Sequence, residues 1–204
     1  METLQPKLRF TEFEGNWESN KLSKVCDVRD GTHDSPKYYE NGYPFVTSKN
    51  LTKDGHLDFS NINFICESDY TKFNKRSGVS IGDILFGMIG TIGNPVMVKC
   101  DGFAIKNVAL LKEINDLKNV YLIHYLSANN IQNQFKEQNT GGTQKFLSLS
   151  IIRNLDVVFP SLEEQTKIAN FLSAVDEKLN LLKEKKSLLE DYKKGIMQKI
   201  FNQE

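Results

Sequence analysis

"PSLEEQTKIANFLSAVDEKLNLLKEKKSLLEDYKKGIMQKIF", residues 160–201, holds no proline after Pro160 and a single glycine, Gly195. Ser161, with Glu163 and Glu164 behind it, makes a helix start: a hydroxyl can cap free backbone amides, and acids suit the positive end of the helix dipole. Ile168, Val175, Leu182, Leu189 and Ile196 recur every seven residues, and Leu172, Leu179 and Ile200 fall four residues after members of that series. This is a heptad seam. Lys186 and Lys193 occupy the second series where Leu is expected, while Leu181 and Leu188 widen the stripe on one side. Polar residues at such positions set register or partner at a cost in stability. A helix over 161–201 is roughly 60 Å long at about 1.5 Å per residue. That exceeds the width of a domain built from the rest of the chain, so part of the helix is expected to project and to need a partner for its stripe.

Residues 1–159 are patterned differently. "VMVKCDGFAIKNVALLKEI" (96–114) predicts a β-hairpin around Asp101-Gly102, a strong two-residue turn signal. "GDILFGMIGTIGNP" (82–95) starts as a strand at Ile84, Leu85 and Phe86. Gly87, Gly90 and Gly93 then predict a bent strand or tight loop. "DLKNVYLIHYLSANNIQNQFKE" (116–137) predicts one helix, with Val120, Ile123, Leu126, Ile131 and Phe135 on a broad face.

Composition sets the limits. The chain of 204 residues is long enough for one domain with a core plus an appendage. It contains no run of about 18 apolar residues and lacks the basic start and apolar stretch of a secretion signal at "METLQPKLRF", so a cytoplasmic protein is expected. Cys26, Cys66 and Cys100 are odd in number, without a C-x-x-C pair, and are expected to be small buried hydrophobes in a reducing compartment. His33, His56 and His124 show no metal-ligand spacing, so no metal site is expected. Lys and Arg number 26, and so do Asp and Glu. That balance argues against non-specific coating of nucleic acid but leaves room for a local basic patch.

The motifs of chemistry are missing from the sequence. Asn94-Pro95 continues as Val96-Met97 rather than as the N/D-P-P-Y/F of an amino-methyltransferase, and 87–90–93 is G-x-x-G-x-x-G, which is not the dinucleotide fingerprint. No phosphate loop, G-x-S-x-G, H-E-x-x-H or Pro-Asp dipeptide occurs. His33 and Asp34 are adjacent, and neighbours rarely face one point, so they make a poor base and orienting acid. Four polar loops remain: "RDGTHDSPKY" (29–38), "TSKN" (47–50), "GMIGTIGN" (87–94) and "NTGGTQK" (139–145). Each offers short hydroxyl or amide groups with glycine or a basic residue, a vocabulary that suits phosphates and base edges. Surface loops of many proteins look alike, so composition by itself stops at a binding module with its ligand open.

"PKLRFTEFEGNWESNKLSKVCDVRDGTHDSPKYYENGYPFVTSKNL" (6–51), "GDILFGMIGTIGN" (82–94), "TGGTQKFLSLSIIRNLDVVFPSLEEQTKIANFLSAVDEKLNLL" (140–182) and "KKGIMQKIF" (193–201) resemble the specificity subunit of type I restriction–modification systems. The resemblance implies an α+β chain: a mixed α/β target-recognition domain over 1–159, then one long coiled-coil helix over 160–204 for dimerisation, spacing and docking of a methyltransferase subunit. In the family this unit normally occurs twice, the two helices pack antiparallel, and each domain reads half of a bipartite site. It also implies partners: double-stranded DNA, methyltransferase subunits that carry S-adenosylmethionine and modify adenine at N6, and in some complexes a restriction subunit. The chain itself is expected to be non-catalytic, with no cofactor of its own.

One recognition domain and one helix depart from that pattern, in a natural half-subunit or a fragment of a longer chain. Two copies joined through Ile168, Leu172, Val175, Leu179, Leu182, Leu189, Ile196 and Ile200 would restore a two-domain spacer about a two-fold axis and read a gapped palindrome. Expected DNA contacts are Thr32, His33, Ser35, Lys37, Ser48, Lys49, Asn50, Thr91, Thr143, Gln144 and Lys145, with Gly141 and Gly142 allowing close approach. Two alternatives stay open. "GGTQKFLS" could instead be a joint that docks a methyltransferase subunit or the helix base. The chain could also be a coiled-coil assembly factor that modulates a full-length specificity subunit.

Overall fold

A computed structural model describes residues 5–137 and 146–202. In chain order the elements are β1 (Glu18–Lys21), α1 (Leu22–Val25), β2 (Cys26–Asp30), β3 (Tyr43–Thr47), β4 (Asn63–Ile65), α2 (Glu67–Ser77), β5 (Ile84–Gly87), β6 (Gly93–Met97), β7 (Ala104–Lys106), β8 (Val108–Glu113), α3 (Asn119–Ser127), α4 (Asn129–Glu137), α5 (Leu149–Arg153), β9 (Asp156–Phe159) and α6 (Leu162–Phe201). The fold is mixed, with sheets and one long C-terminal helix, as the sequence predicts. Among the described residues, no helix is long and apolar enough to cross a membrane.

The centre is an antiparallel sheet ordered β2-β8-β5-β6. Its inner strands, β5 and β8, are paired on both edges, and they carry the continuous apolar runs Ile84-Leu85-Phe86 and Val108-Ala109-Leu110-Leu111, all fully buried. Edge strand β2 alternates instead, with Cys26, Val28 and Asp30 inward and Asp27 and Arg29 half-exposed. A second sheet, β4-β3-β7, pairs β3 with β4 antiparallel and with β7 parallel. Val46, Ile105, Phe103, Leu85, Val96 and Leu110 pack in one core between these sheets. Phe45, Ile65 and Ala104 pack with Phe73 of α2.

Two local predictions fail for tertiary reasons. Asp101-Gly102 does turn, with Gly102 at φ 84°, but its flanking segments do not pair with each other. β6 pairs with β5, β7 leaves for the second sheet beside β3, and β8 lies between β2 and β5. The true hairpin is β5–β6, closed by the glycine run with Gly87 opposite Gly93. A turn signal is local, whereas the partner is chosen by burial, here of Phe103 and Ile105. The helix predicted over 116–137 is broken at Ala128, which is extended at φ −64°, ψ 138°. The break frees the Leu126 carbonyl, which accepts a bond of 2.7 Å from Gln132 Nε2. Asn129 and Asn130 favour such a restart, because their side chains compete for backbone groups. Val120, expected inside, is exposed, while Tyr121 and Leu122 are buried in its place.

The cysteines also differ from expectation. Cys26 is buried and Cys66 half-buried, but Cys100 is exposed in the turn after β6. Burial pushes the Cys26 thiol up to about 12, so it stays protonated where an ordinary thiol ionises.

The chain divides into two compact units after Thr166, inside α6. The first turn of α6 belongs to the first unit because its polar residues are buried there. Gln165 is wholly buried: Nε2 donates to the Asp116 carbonyl at 2.7 Å and the Pro160 carbonyl at 2.9 Å, and Oε1 accepts from the Lys118 amide at 2.8 Å. Glu164, 1% exposed, receives two parallel bonds from Arg9, at 2.8 Å from Nε and 2.7 Å from Nη2. The remaining Arg9 donor capacity goes to the carbonyls of Gly15 and Glu14, and the Glu164 carboxylate pushes the guanidinium above its ordinary pKa. These bonds, with β1 paired to β9, bring both ends of the first unit to one end of the central sheet.

Gln165→Ala would leave two carbonyls and one amide buried without partners. It should destabilise the chain by about 1–3 kcal/mol, read as a lower Tm in thermal unfolding. In native protein at pH 8, iodoacetamide should label Cys100 and spare Cys26. Labelling of Cys26 should appear only when the chain is unfolded or the pH approaches 12.

Candidate nucleic-acid interface

The two ends of the central sheet differ in kind. At one end lie Cys26, Glu113, Ile84 and Met97, followed by the turn that binds Gln165. At the other lie Asp30, Val108, Gly87 and Gly93, and the polar loops gather here. Gly31 passes so close to β7 that a Cβ would stand 2.4 Å from the Ile105 carbonyl oxygen. Thr32 donates its amide to the same carbonyl at 3.0 Å, and its own carbonyl accepts from the Asn107 amide at 3.2 Å.

Ser48 is the knot. Its Oγ donates to the Asn107 carbonyl at 3.1 Å and accepts from the Met88 amide at 3.3 Å. One hydroxyl therefore ties the 47–50 turn to the 87–94 hairpin and to the β7–β8 corner. Asn50 holds the turn itself: Oδ1 accepts from the Thr47 amide at 2.9 Å and Nδ2 donates to the Asp58 carbonyl at 3.0 Å. Phe146 and Leu147 are seated at the same place, since Phe146 bridges Ile89 and the Leu147 amide bonds the Met88 carbonyl at 2.8 Å.

The sequence-predicted residues fall into three groups. His33, Ser35, Lys37 and Lys49 are exposed on these converging loops, and Thr32 and Thr91 are half-buried among them. Ser48 and Asn50 are buried and bonded within the fold, so their side chains frame the surface and offer little of it to a ligand. Thr143, Gln144 and Lys145, with Gly141 and Gly142, lie outside the described residues. Of the helix residues, Val175, Leu179, Leu182, Leu189, Ile196 and Ile200 are exposed along α6, joined by Leu181, Leu188 and Tyr192, while Ile168 and Leu172 are half-buried.

Further side chains, from outside the four loop segments, stand at the same end. Asn107 sits at φ 52°, a left-handed corner that asparagine tolerates, and its Oδ1 lies 2.6 Å from His33 Nδ1. The other His33 nitrogen faces Asp30 at 3.0 Å, and Asp30 also binds Arg76. Lys106 reaches Ser35 Oγ at 2.8 Å. Lys72 of α2 binds Asp34 at 2.9 Å and holds that carboxyl below its ordinary range. All these residues come from strand ends and a helix, where composition carries no loop signal; the one local hint was an asparagine between two strands.

The sequence matches the family described as the type I restriction modification DNA specificity domain over residues 14–191. The chain belongs to that family. The MjaX protein of Methanocaldococcus jannaschii, named as a type I restriction enzyme specificity subunit, is 27% identical over 96% of this chain and 48% of its own length. The MjaVIII specificity subunit of the same organism is 22% identical over 94% of this chain and 47% of its own. Two solved structures share the fold. One is a chain from a study of complex assembly and conformational transition of the type I R-M system, with a TM-score of 0.69 at 20% identity, covering 93% of this chain and 46% of that one. The other is the HsdS subunit from Thermoanaerobacter tengcongensis, at 0.61 and 19%, covering 97% and 47%. This specificity-family chain spans about half the length of the relatives it matches.

Ser48→Ala would orphan the Asn107 carbonyl and the Met88 amide in a buried setting. A loss of about 1–3 kcal/mol is expected, and amide exchange should speed up at Met88, whose N–H loses its acceptor, while the Lys118 amide at the opposite end of the sheet stays protected.

Proposed function

We propose that this chain is the DNA-reading half of a type I restriction–modification complex, directing a separate adenine-N6 methyltransferase to its target. The observation that carries the reading is the convergence of the 29–38, 47–50 and 87–94 loops around Ser48. It brings Thr32 and His33, through Asn107, beside the 47–50 turn that carries exposed Lys49, in a DNA specificity family member. In this reading Lys37 and Lys49 hold phosphates, while His33, Ser35 and Thr91 approach base edges. Phe146 and Leu147 anchor the segment after Lys145 at this loop end. That placement favours a DNA-facing role for Thr143, Gln144 and Lys145 over a joint at the helix base.

The chain works in the cytoplasm without chemistry of its own. S-adenosylmethionine is carried by the methyltransferase subunits, and a restriction subunit can join the same assembly. The recognition part, 1–159, does the reading, and the helical part, 160–204, sets spacing and docks partners. The exposed apolar stripe of α6 supports pairing with a second copy, which would give two-fold symmetry and a gapped palindromic target.

Two measurements test this. Mapping N6-methyladenine in cells that express the chain with its methyltransferase, against cells with the methyltransferase alone, should reveal a new gapped palindrome. A new asymmetric bipartite motif would mean pairing with a different specificity half. No new motif from an assembled complex would overturn the recognition role and leave an assembly factor. Solution mass should be twice the 23.3 kDa chain mass, and Leu182→Glu with Leu189→Glu should return it to the single-chain value.

A further inference from the structure

The loops leave one basic surface unassigned. Helix α2 opens with Glu67 and Asp69 and closes with Lys75 and Arg76, and only Phe73 and Ser77 of it are buried. Ser68, Thr71, Lys72 and Lys75 are spaced i, i+3, i+4 and i+7, so they share one face. Together with Glu67 they line a shallow groove. Hydroxyls beside ammonium groups on an exposed face make a set of donors suited to anionic oxygens. The groove is continuous with the loop surface, because Lys72 binds Asp34 and Arg76 binds Asp30, both in the 29–38 loop.

These ion pairs differ from the buried pairs of the fold. In the Lys72–Asp34 pair both side chains are more than half exposed, and Arg76 is 64% exposed although Asp30 is not. Exposed pairs of this kind contribute little to stability. Lys72 is therefore free to exchange its exposed carboxylate for a stronger or more numerous anion, whereas Arg76 is held by a buried one.

From the groove and its ion pairs we infer that α2 is a DNA-backbone track: Lys72 and Lys75, with Ser68 and Thr71, take phosphates of the same duplex whose bases face the 29–38 loop, and Asp34 holds Lys72 in place until a phosphate displaces it. This rests on the DNA-reading function proposed above and adds a face that the loops do not include.

The test uses the full chain and a mixed-sequence duplex of about 30 base pairs, with affinity measured by fluorescence anisotropy across a salt series. Each phosphate contact contributes about −0.9 to the slope of log K against log salt. The double variant Lys72→Ala, Lys75→Ala should flatten the slope by about two contacts, while Lys24→Ala with Lys99→Ala, remote from the loops, should match wild type. Asp34→Asn should raise affinity by roughly two- to fivefold, the range that release of an exposed pair supplies; a merely structural pair would lower it or leave it unchanged. Circular dichroism melts confirm that each variant folds. A wild-type slope in the Lys72, Lys75 variant, with Lys37→Ala or Lys49→Ala still weakening binding, would overturn the α2 track and leave the loop reading intact. An absence of salt-dependent binding by the wild-type chain would overturn both.

Discussion

The pairing of β5 with β8 is the constraint on which the rest of this molecule depends. Ile84–Gly87 and Val108–Glu113 are buried along their apolar lengths and bonded on both edges, so their register admits no slip without turning a whole side-chain set the wrong way. Fixing that register fixes two ends. Gly87, Val108 and Asp30 mark one, where the loops emerge; Ile84, Glu113 and Cys26 mark the other, where the first turn of α6 is received. The polar loop surface and the seat of the first turn of α6 therefore lie at opposite ends of one sheet whose register is fixed.

Each end is finished by a buried polar device. At the loop end the device is Ser48, whose single hydroxyl satisfies groups from two other segments. At the helix end Gln165 satisfies three backbone groups, and Glu164 is matched by the Arg9 fork. Buried hydrogen bonds of this sort are costly to break singly, since each leaves partners without solvent to replace them. They hold geometry more than they add net stability. Along α6 beyond Thr166 the opposite condition holds: leucines and isoleucines at heptad spacing are exposed, and a stripe of that length is stabilised by covering it.

What could be read without coordinates followed physical range. The long helix, Leu162–Phe201, was legible because its heptad repeat is regular over many turns and lacks breakers. The polar loops were legible by vocabulary, but the convergence of 29–38, 47–50 and 87–94 was not, because it is made by Ser48, Asn107 and Gly31, each contacting residues tens of positions away. The Asp101-Gly102 turn misled for the same reason: a turn needs only its own two residues, whereas the choice of β3 as partner for β7 is decided by where Phe103 and Ile105 are buried. Even Glu163 and Glu164, read as acids at a helix dipole, stand with Gln165 in a turn that carries two buried side chains, Glu164 and Gln165, whose partners Arg9 and Asp116 no local pattern could supply.

The sequence by itself determined that a mixed domain precedes one long heptad helix, that the chain lacks the motifs of catalysis, and which family it resembles. These follow from periodicity, composition and motif, all properties of neighbouring residues. Only the tertiary structure decided that Ser48 and Asn50 are framework while His33, Lys37 and Lys49 are surface, that the predicted hairpin is split between two sheets, and that Lys72, Arg76, Lys106 and Asn107 stand beside the polar loops. Those outcomes depend on which side chains the core takes in, and burial is a property of the folded chain as a whole.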